Sequence, residues 1–221
     1  MGRKVTALRF QKRNKDRVNV YLDGEFAFGL AAIEAAHLKV GQTLTPEEIA
    51  ELKRKDEVER AYERALNYLS YRPRSTSEIR RNLWKKGIDE VVIDKVIERL
   101  ERARLVDDLE FARYWIENRE QFNPRGARAL RHELREKGVS HSTINEALSD
   151  FDEQPSARKA AEAGARRLSH LEEEDFRRKL SGYLARRGFA YPIAKALVEK
   201  EWAAIENDAE TGIESEGDIH G

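Results

Sequence analysis

"LWKKGI" at residues 83–88 returns as "LREKGV" at 134–139 and again as "LARRGF" at 184–189. The glycines Gly87, Gly138 and Gly188 stand 51 and 50 residues apart, a spacing that points to a repeated unit. Ile79, Leu130 and Leu180 lie eight residues before each glycine, and Leu83, Leu134 and Leu184 lie four before it. Apolar residues four apart form one stripe along a helix, and a glycine just past the last of them supplies the left-handed residue that stops it. Each copy therefore contains a short helix with one buried edge and a glycine stop.

Working outward, a second helix starts at once. Ile88, Asp89 and Ile93 read as an N-cap flanked by a hydrophobic staple, and Val139, Ser140 and Ile144 repeat the arrangement. In the third copy Ala190 cannot cap, so the helix start shifts and Pro192 falls in the first turn. Val96, Ile97 and Leu100, then Ala147, Leu148 and Phe151, then Leu197, Val198 and Trp202 continue the buried faces. Upstream of each glycine helix lies a further amphipathic stretch, over 56–70, 108–122 and 156–169. Phe111, Tyr114 and Trp115 in the second of these read as core. Ser75-Thr76-Ser77-Glu78 reads as a capping box, and Asn123-Pro124 as a cap followed by proline at the first helical position.

The result is a mainly α fold of three tandem three-helix repeats, at 51–107, 108–155 and 156–205. Modules of about 50 residues bury only small cores, so stacking on neighbours should add stability and give an elongated array. Residues 1–50 differ. "VTALRF", "RVNVYL" and "EFAFGL" alternate apolar and polar residues around the turn pair Asp23-Gly24, which predicts a small β-hairpin unit. "LAAIEAAHLKVG" and "LTPEEIAELKRKDEV" then read as helix, turn and helix leading into the repeats. The final segment, 206–221, holds six acids and no lysine or arginine, and its low apolar content predicts a disordered tail.

No cysteine is present, which excludes disulfides, thiol catalysis and cysteine-ligated zinc and suits a reducing cytoplasm. No apolar run reaches the roughly 20 residues of a membrane span, and the start lacks a signal-peptide core. An enzyme reading finds little: the five histidines lack HExxH spacing, no Gly-rich phosphate loop follows a strand, and no Gly-x-Ser-x-Gly elbow exists. His132 with His141 could hold a metal, but isolated histidines are more often solvated. Asp107-Asp108, directly before "LEFA", read as helix caps rather than as an acid pair for metal-dependent chemistry. No cofactor and no metal site is expected.

Binding is better supported. With Ile79 and Leu83 turned inward, a 100° step places Arg81 and Lys85 outward; the same rotation exposes Arg128 and Arg135 in the second copy and Arg178 and Arg186 in the third. The turns add Arg72, Arg74 and Arg125. Trp84, at the border of that face, offers a ring for stacking. Charged outer faces also occur on any soluble helix, and Glu136 interrupts this one, but the recurrence of the set favours a binding role. "LREKGVSHSTINEAL" can alternatively be read as a DNA-binding helix-turn-helix. Overall the 41 basic and 41 acidic residues cancel, which argues against coating nucleic acid by charge alone.

"ALNYLSYRPRSTSEIRRNLWKKG" (65–87), "LVDDLEFARYWIENREQFNPRGARALRHELREKGV" (105–139) and the weaker copy around "LARRGF" resemble the RecX family, bacterial regulators of the RecA recombinase. The resemblance covers about residues 57–205, and the middle copy is its most specific part. It implies a non-enzymatic regulator that lies in the groove of the RecA filament on single-stranded DNA, commonly inhibiting recombinase and coprotease activity in DNA repair and the SOS response; a cytoplasmic location, as the sequence features above suggest, and a monomeric state are expected with it. DNA would be contacted directly or through the filament. Carried onto this chain, the matching positions are Arg72, Arg74, Ser75 and Glu78, then Asp107, Asp108, Phe111, Ala112, Pro124, Arg125, Gly126, Leu134 and Gly138. Of these, Phe111, Ala112, Leu134 and Gly138 are expected to be structural and the arginines to make contacts. Shorter family members lack the β unit and the acidic tail, so the resemblance says little about either.

Overall fold

The structure is a computed structural model that describes the backbone of residues 1–214 and the side chains of residues 1–207. The chain forms two compact units: Met1–Arg74 with Glu78–Val106, and Ser75–Ser77 with the chain from Asp107 on.

In the first unit, β1 (Arg3–Phe10), β2 (Arg17–Leu22) and β3 (Glu25–Ala31) form an antiparallel sheet, completed on the other side of β1 by β4 (Thr43–Leu44) in the order β3-β2-β1-β4. The β2–β3 turn falls at Asp23-Gly24, where both residues have positive φ, 54° and 90°, as a two-residue hairpin requires. The helix expected over "LAAIEAAHLKVG" is shorter than its composition suggests: α1 spans only Ala32–Ala35. The chain then turns through Gly41 to bring Gln42 and β4 alongside β1, with the Val5 amide donating to the Gln42 carbonyl at 2.8 Å. Pairing that sheet edge takes the residues a longer helix would have used.

The two helices expected on either side of residue 56 are one. Helix α2 runs unbroken over Pro46–Leu69, opened by a capping box in which Thr45 and Glu48 satisfy each other's amides. Its first half lays Ile49 and Leu52 on the sheet core, and its second half puts Ala61 and Ala65 into the next core. Between them Asp56, 6% exposed, accepts both hydrogen bonds of the Arg17 Nη2 group, at 2.9 and 2.8 Å, and the Ala31 amide at 3.1 Å. Three hydrogen bonds from two partners compensate this charge, as a buried carboxylate requires. Residues 50–51 thus lie inside α2. With α3 (Thr76–Trp84) and α4 (Glu90–Arg102), the second half of α2 encloses Ile79, Leu83, Ile93, Val96 and Leu100.

The second unit contains α5 (Asp108–Phe122), α6 (Ala127–Glu136), α7 (His141–Ala147), α8 (Glu153–Leu168), α9 (Glu173–Arg186) and α10 (Tyr191–Glu214). Two cores follow: Phe111, Ala112, Leu130, Leu134 and Ile144 in one, Ala161, Phe176, Leu180, Leu184 and Val198 in the other. All six stripe residues, Ile79, Leu83, Leu130, Leu134, Leu180 and Leu184, are fully buried, each worth about 1.5–3 kcal/mol of transfer from water. The three glycines have φ of 75°, 79° and 83°, and Asp89, Ser140 and Asp107 cap the helices that follow them. Pro192 sits in the first turn of α10 as expected.

Three further expectations need correction. Asn123-Pro124 do not begin α6; its N-cap is Gly126. The Arg187 guanidinium holds the Asn123 side chain at 2.8 Å and the Pro124 carbonyl at 2.9 Å, and the Gly126 amide donates to the Arg187 carbonyl at 2.9 Å, so this stretch is extended by contacts distant in sequence. Helix α8 begins at Glu153, capped by Asp152, and not at Ser156. The tail expected to be disordered from Glu206 is helical through Glu214 as the end of α10; its residues 215–221 lie outside the described residues.

Candidate functional site

The six helix-face cations inferred from the repeat all lie exposed: Arg81 and Lys85 on and just beyond α3, Arg128 and Arg135 on α6, and Arg178 and Arg186 on α9. Each stands across the helix from the fully buried stripe, because a 3.6-residue turn cannot bury both. Arg81 and Lys85 join Tyr68, Glu78 and Asn82 around a surface groove of about 200 Å3. Trp84, 65% exposed, ends α3 beside them. In the second unit Arg128 and Arg135 line a groove of about 170 Å3 with Arg131, His141 and Ile144.

Arg131 is the residue the repeat comparison missed. Its signal was present in the spacing, since 128, 131 and 135 lie three and four apart on one helix face, but it was hidden by matching copies only on their shared positions. On α9 the cation is partly answered: Arg178 pairs with Asp175, and that hydrogen bond and charge hold the Asp175 carboxyl below its usual range. Arg186 ends the same helix with its side chain exposed.

The three turn arginines are placed differently. Arg72 forks onto Glu78, at 3.1 and 2.8 Å, and also donates to the Pro73 carbonyl at 2.7 Å. Arg74 stacks on the Tyr68 ring, 4.0 Å from its centroid. Arg125 lies 3.5 Å from Glu133, a carboxylate that also accepts from Trp115 Nε1 at 2.8 Å and Arg119 Nε at 2.7 Å. These guanidiniums hold turns in shape, and the sequence could not separate them from the outward set because loops lack the period that assigns a face.

Asp107 and Asp108 act on different helices. Asp107 accepts from the amides of Leu109 and Glu110 at 2.7 and 3.0 Å, capping α5, whereas Asp108 accepts from the Thr76 amide at 2.8 Å. His132 lies 3.5 Å from Glu136, and His141 contacts Asn145. Among the described residues no cluster of three or more metal-ligating side chains occurs, and no helix is long and apolar enough to cross a membrane. Exposed cations repeated along the helices have the chemistry to engage polyanions or acidic protein surfaces.

Comparison with known proteins gives the family. Residues 3–45 match the regulatory protein RecX N-terminal domain, 61–100 the RecX first three-helix domain, and 107–148 the RecX second three-helix domain. The β unit, about which the resemblance said little, is thus a family domain in its own right. A regulatory protein RecX of Bacillus subtilis (strain 168) is 34% identical over 212 residues, spanning 94% of this chain and 80% of the relative. One from Bacillus licheniformis is 31% identical over 220 residues, spanning 97% and 84%. Among solved structures, a crystal structure of regulatory protein RecX superposes with a TM-score of 0.73 at 29% identity, covering 89% of this chain and 99% of that one. RecX from Lactobacillus salivarius gives a TM-score of 0.59 at 25% identity, covering 66% and 97%. The sheet, the repeated helices and the sequence over nearly the whole length agree, and the chain belongs to the RecX family of regulatory proteins.

Proposed function

We propose that this chain is a non-enzymatic regulator of the RecA recombinase, binding as a cytoplasmic monomer in the groove of the filament on single-stranded DNA and lowering its activity in repair and the SOS response. The observation that carries this reading is the recurrence of Arg81, Arg128, Arg135 and Arg186 as exposed cations beside fully buried stripes in successive copies. A periodic partner can engage a periodic surface at several points at once, and several weak contacts on one chain sum to a tight one. Acids interleave with the cations, as Asp175 does beside Arg178, and the formal net charge is zero. Such a surface suits a groove lined by protein and DNA together better than bare phosphate, which every acid repels.

Recombinase ATP hydrolysis on single-stranded DNA, measured with and without added chain and beside a DNA-only binding control, tests the proposal. Hydrolysis should fall at concentrations of chain that leave naked DNA largely unbound. Unchanged hydrolysis at saturating chain would overturn it, and tight sequence-dependent binding to duplex alone would favour the helix-turn-helix reading in its place.

A further inference from the structure

The sheet of the first unit buries one face and leaves the other partly exposed, with Arg9 and Phe26 its most accessible side chains. Val5, Val18, Val20, Leu22, Phe28 and Leu30 form the core side. On the opposite side the register sets Tyr21 between Ala7 and Phe26, and Asn19 between Arg9 and Gly29. The Tyr21 and Phe26 rings meet edge to face with centroids 6.0 Å apart, and the Arg9 guanidinium lies 5.1 Å from the centre of the Tyr21 ring. Phe26 is 59% exposed, so this aromatic pair is displayed rather than packed away.

Charge surrounds it. Lys12, Arg13 and Lys15 are exposed in the loop that joins β1 to β2. From Met1 to Val20 there are seven Lys or Arg and one acid, Asp16. Among the described residues the ion pairs of this sheet are Arg3 with Asp23 and Arg17 with Asp56, and Arg9 and the three loop cations form none. Gly29 carries no side chain, but the Gln11 and Arg17 side chains lie over it, and Asn19 beside it accepts from Gln11 at 2.9 Å, so the exposed part of this face is its Tyr21–Phe26 end. A partly exposed sheet face with an aromatic pair, a guanidinium against one of its rings and a cationic loop at its end matches what a single nucleic-acid strand presents, namely unstacked base faces and a chain of phosphates. A duplex hides its base faces. A peptide adding a strand would use edge backbone groups and leave the rings idle.

We infer that the outer face of the β1–β2–β3 sheet is a binding site for single-stranded DNA, with bases on Tyr21 and Phe26 and phosphates on Arg9, Lys12, Arg13 and Lys15. The site needs no recombinase; only the choice of DNA over RNA rests on the function proposed above, in which the strand at hand is DNA. The test is fluorescence anisotropy of the full chain with labelled oligothymidylate, without recombinase, alongside an oligouridylate arm. Losing a stacking platform costs roughly tenfold or more in affinity, so Phe26→Ala with Arg9→Ala should weaken oligothymidylate binding about tenfold while the melting curve stays that of the parent. Replacing Lys12, Arg13 and Lys15 by Gln should flatten the dependence of log affinity on log salt by about two, at roughly 0.7 per phosphate contact. Iodouracil in the strand should crosslink to the peptide bearing Tyr21 and Phe26. Parent-like binding by both variants, loss caused instead by Arg128→Glu, crosslinks confined to the repeats, or tighter binding to oligouridylate would each overturn the inference.

Discussion

Gly87, Gly138 and Gly188 occupy one position of the repeat, yet their surroundings differ. All three need a left-handed backbone, which costs a side-chain-bearing residue about 1–2 kcal/mol. A Cβ added at Gly87 would meet nothing, whereas one at Gly188 would run into Ala129 and one at Gly138 into Ser77. Overpacking adds about 1–3 kcal/mol where the neighbour is backbone or rigid. Gly87→Ala should therefore lower the unfolding free energy by about 1 kcal/mol and Gly188→Ala by about 3 kcal/mol. Urea denaturation of the two variants checks this, and equal losses would show that close approach at Gly188 contributes nothing. The need for glycine at all three positions was legible from spacing; the difference among them was not, because it depends on which distant backbone arrives there.

At the scale of elements, the second unit uses one joint twice. The Ser75 hydroxyl donates to the Lys137 carbonyl at 2.6 Å, and the Gly126 amide donates to the Arg187 carbonyl at 2.9 Å. Ser75 and Gly126 each stand twelve residues before their own glycine, and Lys137 and Arg187 each stand one before the next. Likewise the first residue of α5, Asp108, caps the Thr76 amide, and the first residue of α8, Glu153, caps the Ala127 amide at 2.9 Å. Glu153 does more, since its other oxygen accepts from the Ala190 amide at 3.2 Å. That supplies the cap the sequence of the third copy lacks. Glu153→Ala exposes two helix starts at once and should cost about 2 kcal/mol, whereas Glu153→Gln, which retains one acceptor oxygen, should lose about half of that. Thermal unfolding of the pair decides the point; parent-like stability in Glu153→Ala would show that water serves both amides equally well.

For the whole molecule, α2 ties the family's N-terminal domain to its first three-helix domain, with the Arg17–Asp56 pair at the join. Function is proposed to spread along the chain, so charge reversal in separate copies should act together. Arg81→Glu with Arg128→Glu is expected to weaken filament binding tenfold or more, with each single change costing less, while helicity and melting stay unchanged because both side chains are exposed. Sedimentation of filaments with bound chain measures this. Undiminished binding by the double variant would remove the outward-cation assignment.

What the sequence determined by itself was periodic or local: the buried stripes, the glycine stops, the caps at Asp89, Asp107 and Ser140, the Asp23-Gly24 hairpin and the six exposed helix-face cations. These follow from rules acting over one or two turns of chain, which a linear reading can apply. Tertiary structure decided the continuity of α2, the late start of α6, the shortness of α1, and the engagement of Arg72, Arg74 and Arg125 within the fold. In each case the controlling partner lies on another element, and in several it is far along the chain: Arg17 for Asp56, Arg187 for Asn123, β1 for the segment after α1. Local propensity carries no information about such partners, and their hydrogen bonds outweigh the small local preferences that would have placed those ends elsewhere.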